Sequence, residues 1–169
     1  MRTLSTIFLI SLFAVAAVSQ TSLKAGEPAP LFSSTALDGA DFDLRDLRGK
    51  VVVLTFWSTN CAICQEEIPK LNQFTGRFDE NKVVFLAATT ENEDRVNAYV
   101  KKHPFGFHIL PNSFGIVLQY TDRDREGNLN MQFPSYFLID QTGQINYRAT
   151  GWDKAEKINS EISRLLAKQ

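Results

Sequence analysis

Cys61 and Cys64, the two cysteines of the chain, are separated only by Ala62 and Ile63. Thiols at that spacing at the start of a helix lie within bonding reach of each other, so the pair can cycle between dithiol and disulfide. The run Val51-Val52-Val53-Leu54-Thr55-Phe56-Trp57 leads into Ser58-Thr59-Asn60-Cys61, and the apolar spacing turns helical afterwards. Cys61 is therefore predicted at a strand-to-helix junction. The unpaired N–H groups of the first turn and the positive end of the macrodipole favour its thiolate, the nucleophilic form. Cys64, one turn further in, is placed to close the disulfide and release whatever Cys61 has captured.

Three other uses of two cysteines compete with this one. A static bridge around a two-residue loop removes little entropy from the unfolded chain and would stabilise weakly. A zinc site lacks a second cysteine pair, and His103 and His108 do not show finger spacing, so no metal is expected. A pair of buried free thiols fits poorly with the polar Ser58-Thr59-Asn60 just before them.

The rest of the chain supplies the elements that position the pair. Its 169 residues are 44% hydrophobic and 22% charged, which describes one ordinary globular domain plus a tail. Net charge is −1, so there is no electrostatic footprint for nucleic acid. Arg2, the apolar stretch Ile7 to Val18 and small residues at Ala14, Ala16, Ala17 and Ser19 read as a signal peptide over residues 1–19, leaving 20–169 as the domain. The apolar stretch falls short of the roughly 20 residues that a membrane span needs. Export is expected, into a periplasmic or other extracytoplasmic compartment where a dithiol stays reduced only if a donor supplies electrons.

Asp38-Gly39 predicts the turn of a hairpin between short strands at Leu31 to Ala36 and Phe42 to Leu44. Val51 to Trp57 and Val83 to Ala88 are near-continuous apolar runs, the pattern of strands covered on both faces. Ile68, Leu71, Phe74 and Phe78 predict a helix with Pro69 kinking it one turn in, and Asn92 to Lys102 and Ser113 to Tyr120 predict two more. Ser135 to Asp140 and Gln144 to Gly151 form a second hairpin, and Asp153 is expected to cap a last helix whose inward residues are Ile158, Ile162, Leu165 and Leu166. The order is that of an α/β sandwich with a mixed sheet. The charged segment 121–132 reads as a solvated loop, and its place before Pro134 makes it a candidate for selecting partners.

Leu44-Arg-Asp-Leu-Arg-Gly-Lys-Val-Val-Val-Leu-Thr-Phe-Trp running into Cys-x-x-Cys, then Glu67 and Pro69, then Phe133-Pro134-Ser-Tyr-Phe-Leu-Ile-Asp, resembles the TlpA/ResA group of thioredoxin-like proteins. The resemblance covers about Ala25 to Lys168. It implies a thioredoxin-like three-layer sandwich with a mixed central sheet and an added N-terminal β-hairpin. It also implies thiol-disulfide exchange on exported protein substrates, apocytochromes c for some relatives, with electrons from a membrane thiol donor and no cofactor.

Position by position, the resemblance makes Cys61 the nucleophile and Cys64 the resolving cysteine. Pro134 matches the cis-proline that faces the disulfide and turns the Phe133 backbone toward Cys61 to pair with an extended substrate. Trp57 matches the aromatic that supports the active-site loop, and it is grouped with Phe133, Pro134 and Asn60 on the substrate side. Asn60 stands where a tryptophan is usual, which makes the surface a partner meets smaller and more polar. Thr55 occupies the place of a buried aspartate in thioredoxin, and a hydroxyl cannot shuttle a proton near neutral pH, so another group must take the Cys64 proton. Glu91 lies where ResA-like proteins carry an active-site glutamate; a half-buried carboxyl there could accept it.

Two other functions keep a place beside this one. Thr59, two residues before Cys61, faintly echoes a peroxiredoxin site, although that family's proline upstream of the threonine is missing. A non-enzymatic module could instead hold extended peptide beside Pro134 by strand addition.

Overall fold

The computed structural model describes residues 22–124 and 126–168; the expected leader, 1–19, lies outside them. In chain order the elements are β1 (Ser33–Thr35), β2 (Asp41–Asp43), β3 (Val51–Phe56), α1 (Ala62–Thr75), β4 (Val83–Ala88), α2 (Glu93–Val100), β5 (His108–Leu110), α3 (Phe114–Tyr120), β6 (Asp122–Arg123), β7 (Leu129–Asn130), β8 (Ser135–Ile139), β9 (Ile145–Thr150) and α4 (Ala155–Leu166). No helix among the described residues is long and apolar enough to cross a membrane.

Every residue of β3 and β4 is buried. Side chains alternate between the faces of a strand, so a continuous apolar run requires a core on each side. On one face Val51, Val53 and Trp57 pack with Ile68 and Leu71 of α1, Val96 of α2 and Ile158 and Ile162 of α4. On the other, Val52, Leu54 and Phe56 pack with Ile116, Val117 and Tyr120 of α3 and with Phe32 and Leu44 of the N-terminal segment. The sheet between the cores runs β5-β4-β3-β8-β9. β3, β4 and β5 are parallel, while β8 and β9 are antiparallel additions. This is the expected thioredoxin-like three-layer sandwich with a mixed sheet.

The added hairpin pairs β1 with β2, from Ser33 opposite Asp43 to Thr35 opposite Asp41. It is tied down by Leu37 N–H donating to Ile109 O at 2.8 Å, by Asp38 Oδ2 paired with His108 Nδ1 at 2.7 Å, and, just before it, by Tyr120 Oη donating to Pro30 O at 2.8 Å. The structure departs from the sequence expectation at several places, and α1 ends at Thr75, before Phe78. Segment 121–132 is not a plain loop, because β6 pairs antiparallel with β7 across a turn in which Asp124 Oδ1 accepts the N–H groups of Glu126 and Asn128. Asp153 does not cap α4; its φ is 59°, and Lys154 is the N-cap residue, without a side-chain cap of its own. Leu166 is partly buried and packs against the same core as Ala155, Ile158, Ile162 and Leu165, so it faces inward as expected.

Candidate active site

β3 ends at Phe56 and α1 begins at Ala62, so Cys61 falls at the N-cap with extended backbone angles, φ −87° and ψ 104°. The Cys64 N–H donates to Cys61 Sγ at 3.0 Å, so the capping atom of the helix is the sulfur itself. The two cysteines are joined as a disulfide, with their Cα atoms 5.2 Å apart. Cys61 is partly exposed and Cys64 fully buried. An incoming thiol therefore meets Cys61 first. Ala62 and Ile63 between them are exposed and bring neither a cation nor a side-chain donor to the sulfur.

Glu91 holds the loop that leads into Cys61. Thr59 donates its N–H to Glu91 Oε2 at 2.8 Å and its hydroxyl to Glu91 Oε1 at 2.7 Å. Arg95, one turn on, pairs with Glu91 at 2.9 Å and donates to Thr59 Oγ1 at 3.0 Å. The structure thus brings Glu91 to the active-site loop, with both carboxylate oxygens engaged. Gln65 of α1 adds a bond to Thr59 O at 3.3 Å, fastening the loop to the helix from the other side.

Trp57 is fully buried, with its ring against Tyr99 and Phe105 and in the same core as Cys64. Its burial leaves no surface for a substrate to meet, which corrects its grouping with the substrate-side residues. Asn60 is exposed beside Cys61. The Phe133–Pro134 peptide is cis, Phe133 is half-buried, and Pro134 O accepts the Gly151 N–H at 2.8 Å.

Glu67 belongs to the motif without an assigned role there, and among the described residues it is the one charged residue that is buried. It lies one turn beyond Cys64 on the buried stripe Cys64, Glu67, Ile68, Leu71 and Phe74. Its side chain is fully buried; Oε1 accepts from Lys70 Nζ at 2.6 Å and Oε2 from the Lys154 N–H at 2.9 Å. Burial alone would push the carboxyl up, but the Lys70 ammonium and the backbone N–H groups of Lys154 and Asp153 hold it below the usual carboxylate value. A charged residue on an otherwise apolar helix stripe, three positions after a cysteine, is the signal in the sequence.

Across the sheet, Thr55 and Tyr136 are register partners. Thr55 Oγ1 and Tyr136 Oη are both buried with no hydrogen-bond partner among the described residues. Burial, and then the charge of Glu67, pushes the Tyr136 phenol far up. Glu67 thus brings a negative charge to the buried face of α1 that carries Cys64, and the Tyr136 phenol that feels it stays neutral.

A redox-capable Cys-x-x-Cys at a strand-to-helix junction of a thioredoxin-like sandwich defines a class, the thioredoxin-fold redox proteins. The chain belongs to the AhpC/TSA family, whose model matches residues 25–148. It is 30% identical to the thiol-disulfide oxidoreductase ResA of Geobacillus thermodenitrificans, over 86% of this chain and 80% of the relative. Identity is also 30% to a ResA of Bacillus cereus, over 85% of this chain and 79% of the relative. Among solved structures, a thiol:disulfide interchange protein of the thioredoxin family from Chlorobium tepidum superposes with a TM-score of 0.71. That match covers 86% of this chain and 99% of the other at 22% identity, a likeness of fold. Fold, cysteine pair and these relatives together make the chain a thiol-disulfide oxidoreductase.

Proposed function

We propose that the chain is an exported reductase of disulfides in extracytoplasmic proteins, apocytochrome c among them, recharged by a membrane thiol donor. The observation that carries the reading is the asymmetry of the pair: Cys61 is partly exposed at the helix cap, and Cys64 is buried behind it. In the reduced enzyme the Cys61 thiolate attacks one sulfur of the substrate disulfide. A mixed disulfide forms, and the other substrate sulfur leaves as thiolate. Cys64 then gives up its proton and attacks Cys61 Sγ, which closes the Cys61–Cys64 disulfide and expels the second substrate sulfur. Two electrons have passed to the substrate, and the donor returns them.

Glu67 takes the proton from Cys64, since it is the carboxylate one turn away on the same buried face. Glu91, of which that transfer was expected, is given the holding of the Thr59 loop, because its bonds to Thr59 and Arg95 place it on that loop and not on the Cys64 face of α1. Phe133 and Pro134 offer the backbone against which an extended substrate segment lies, with Asn60 at its edge.

The direction of catalysis rests on Ala62 and Ile63, which add no stabilisation to the reduced form; a strongly oxidising couple needs one. The test is the equilibrium potential of the couple in a glutathione or dithiothreitol series. A value near or below about −220 mV supports a reductase, and one near −120 mV marks an oxidant and overturns the direction.

A further inference from the structure

Trp152 is 50% exposed, whereas tryptophan is mostly buried in folded proteins. It is nevertheless held firmly, and every anchor belongs to the redox site. On its N-terminal side the Gly151 N–H donates to Pro134 O at 2.8 Å. On its C-terminal side the Lys154 N–H donates to Glu67 Oε2 at 2.9 Å, with the chain reversing through Asp153 at φ 59°. The Lys70 ammonium sits 4.8 Å from the ring centroid while pairing with Glu67 Oε1 at 2.6 Å. Ile63, Glu67 and Lys70 follow one another at i, i+4 and i+7 on α1, so the ring stands along the face of the helix that begins between the cysteines. Ile63, between the two cysteines, is itself 36% exposed.

We propose that Trp152 is a substrate-docking residue that sets which disulfides the enzyme prefers. Its open surface receives a bulky apolar or aromatic side chain two residues from the reacting cysteine of an extended partner segment. The inference rests on the oxidoreductase reading of the Cys61–Cys64 pair and adds the substrate class. The occupant follows from charge and geometry. Lys70, the cation at the ring, is already matched by Glu67 and is not free to select an acidic group. In an extended chain, side chains two apart share a face at about 7 Å, so the residue two along from the reacting cysteine is the first to stand on the same side as that cysteine. Trp152 is continuous, through Gly151, with the Phe133–Pro134 segment against which that chain lies.

The experiment uses the purified protein, reduced, with two disulfide peptides that differ only in carrying Phe or Ser two residues from one cysteine, and with hydroxyethyl disulfide as a substrate too small to reach Trp152. The wild type is expected to favour the Phe peptide in kcat/KM by about tenfold, and Trp152→Ala to lose that preference. Trp152→Phe, which keeps an aromatic face, restores most of it. A wild-type ratio near one, or a ratio that Trp152→Ala leaves unchanged, overturns the docking role while the enzyme still turns over. Failure of the wild type to reduce all three disulfides overturns the oxidoreductase reading itself, and the docking role with it.

Discussion

Glu67 Oε2 accepts the backbone N–H of Lys154 at 2.9 Å, so the helix that carries the redox pair also caps the helix that closes the fold. The same carboxylate pairs with Lys70, and Lys70 lies under Trp152. One buried charge thereby links the interior beside Cys64, the start of α4 and the partner-facing loop 151–154.

Glu67→Gln keeps the shape and an acceptor for Lys154 but removes the charge. With one partner, Lys70, 40% exposed, the loss at neutral pH is expected to be about 1–2 kcal/mol, read from urea unfolding. The folded carboxyl lies below the ordinary value of 4.5, so its contribution is complete above that value and is lost as pH falls through the lowered folded value. Wild type and Glu67→Gln should therefore converge in stability on acidification below about 4.5. Release from the mixed disulfide should slow by about a hundredfold in the variant, because Cys64 loses its proton acceptor.

Glu91→Ala acts on the other half of the cycle. It leaves the Thr59 N–H and hydroxyl and the Arg95 guanidinium without their acceptor at a carboxylate only 13% exposed. A stability loss of about 1–3 kcal/mol is expected. Formation of the mixed disulfide, followed by stopped-flow with a small disulfide, should slow several-fold because the loop before Cys61 is no longer held. Release, the step assigned to Glu67, should be affected less. The opposite pattern would give the proton transfer to Glu91.

The sequence carried the parts of this site that depend on local signals. The apolar run into Cys61 was enough for β3, and the Cys-x-x-Cys spacing was enough for the helix cap. What it did not carry depends on partners far along the chain. Glu67 is satisfied by Lys154, and Glu91 by Thr59, 87 and 32 residues away. Asp153 sits where a capping aspartate would, yet the chain leaves β9 in a left-handed turn there, and the α4 N-terminus finds its acceptor on α1 instead. Trp57 could be read as core or as an aromatic supporting the active-site loop, because a run buried on both faces does not say which core a side chain enters. β6 and β7, two residues each, are too short to show any period.

Gly143→Ala tests the turn between β8 and β9 independently of the chemistry. Gly143 has φ 81°, a region that costs an alanine, and a Cβ there would fall on the Arg48 guanidinium. Arg48 can swing away, so the expected loss is about 1–2 kcal/mol in urea unfolding, with the potential of the Cys61–Cys64 couple unchanged.

The β6–β7 hairpin is fastened by Asp122, whose carboxylate pairs with the Arg148 guanidinium, Oδ1 at 2.9 Å. Arg148 also donates to Ser22 Oγ at 2.7 Å and lies over the Phe137 ring at 5.1 Å, so one guanidinium joins the hairpin, the N-terminal segment and the sheet. Burial would raise the Asp122 carboxyl, but the Arg148 and Ser22 bonds hold it below its ordinary value of 3.8. Asp122→Asn breaks the fork and should cost about 1–2 kcal/mol at neutral pH. The difference from wild type should shrink only as pH falls below about 3.8, since a lowered carboxyl loses its contribution on the acid side. Because the pair lies outside the Glu67 and Glu91 contacts, exchange with a small disulfide should be unaffected. A fall in that rate would instead tie the hairpin to the geometry of Cys61.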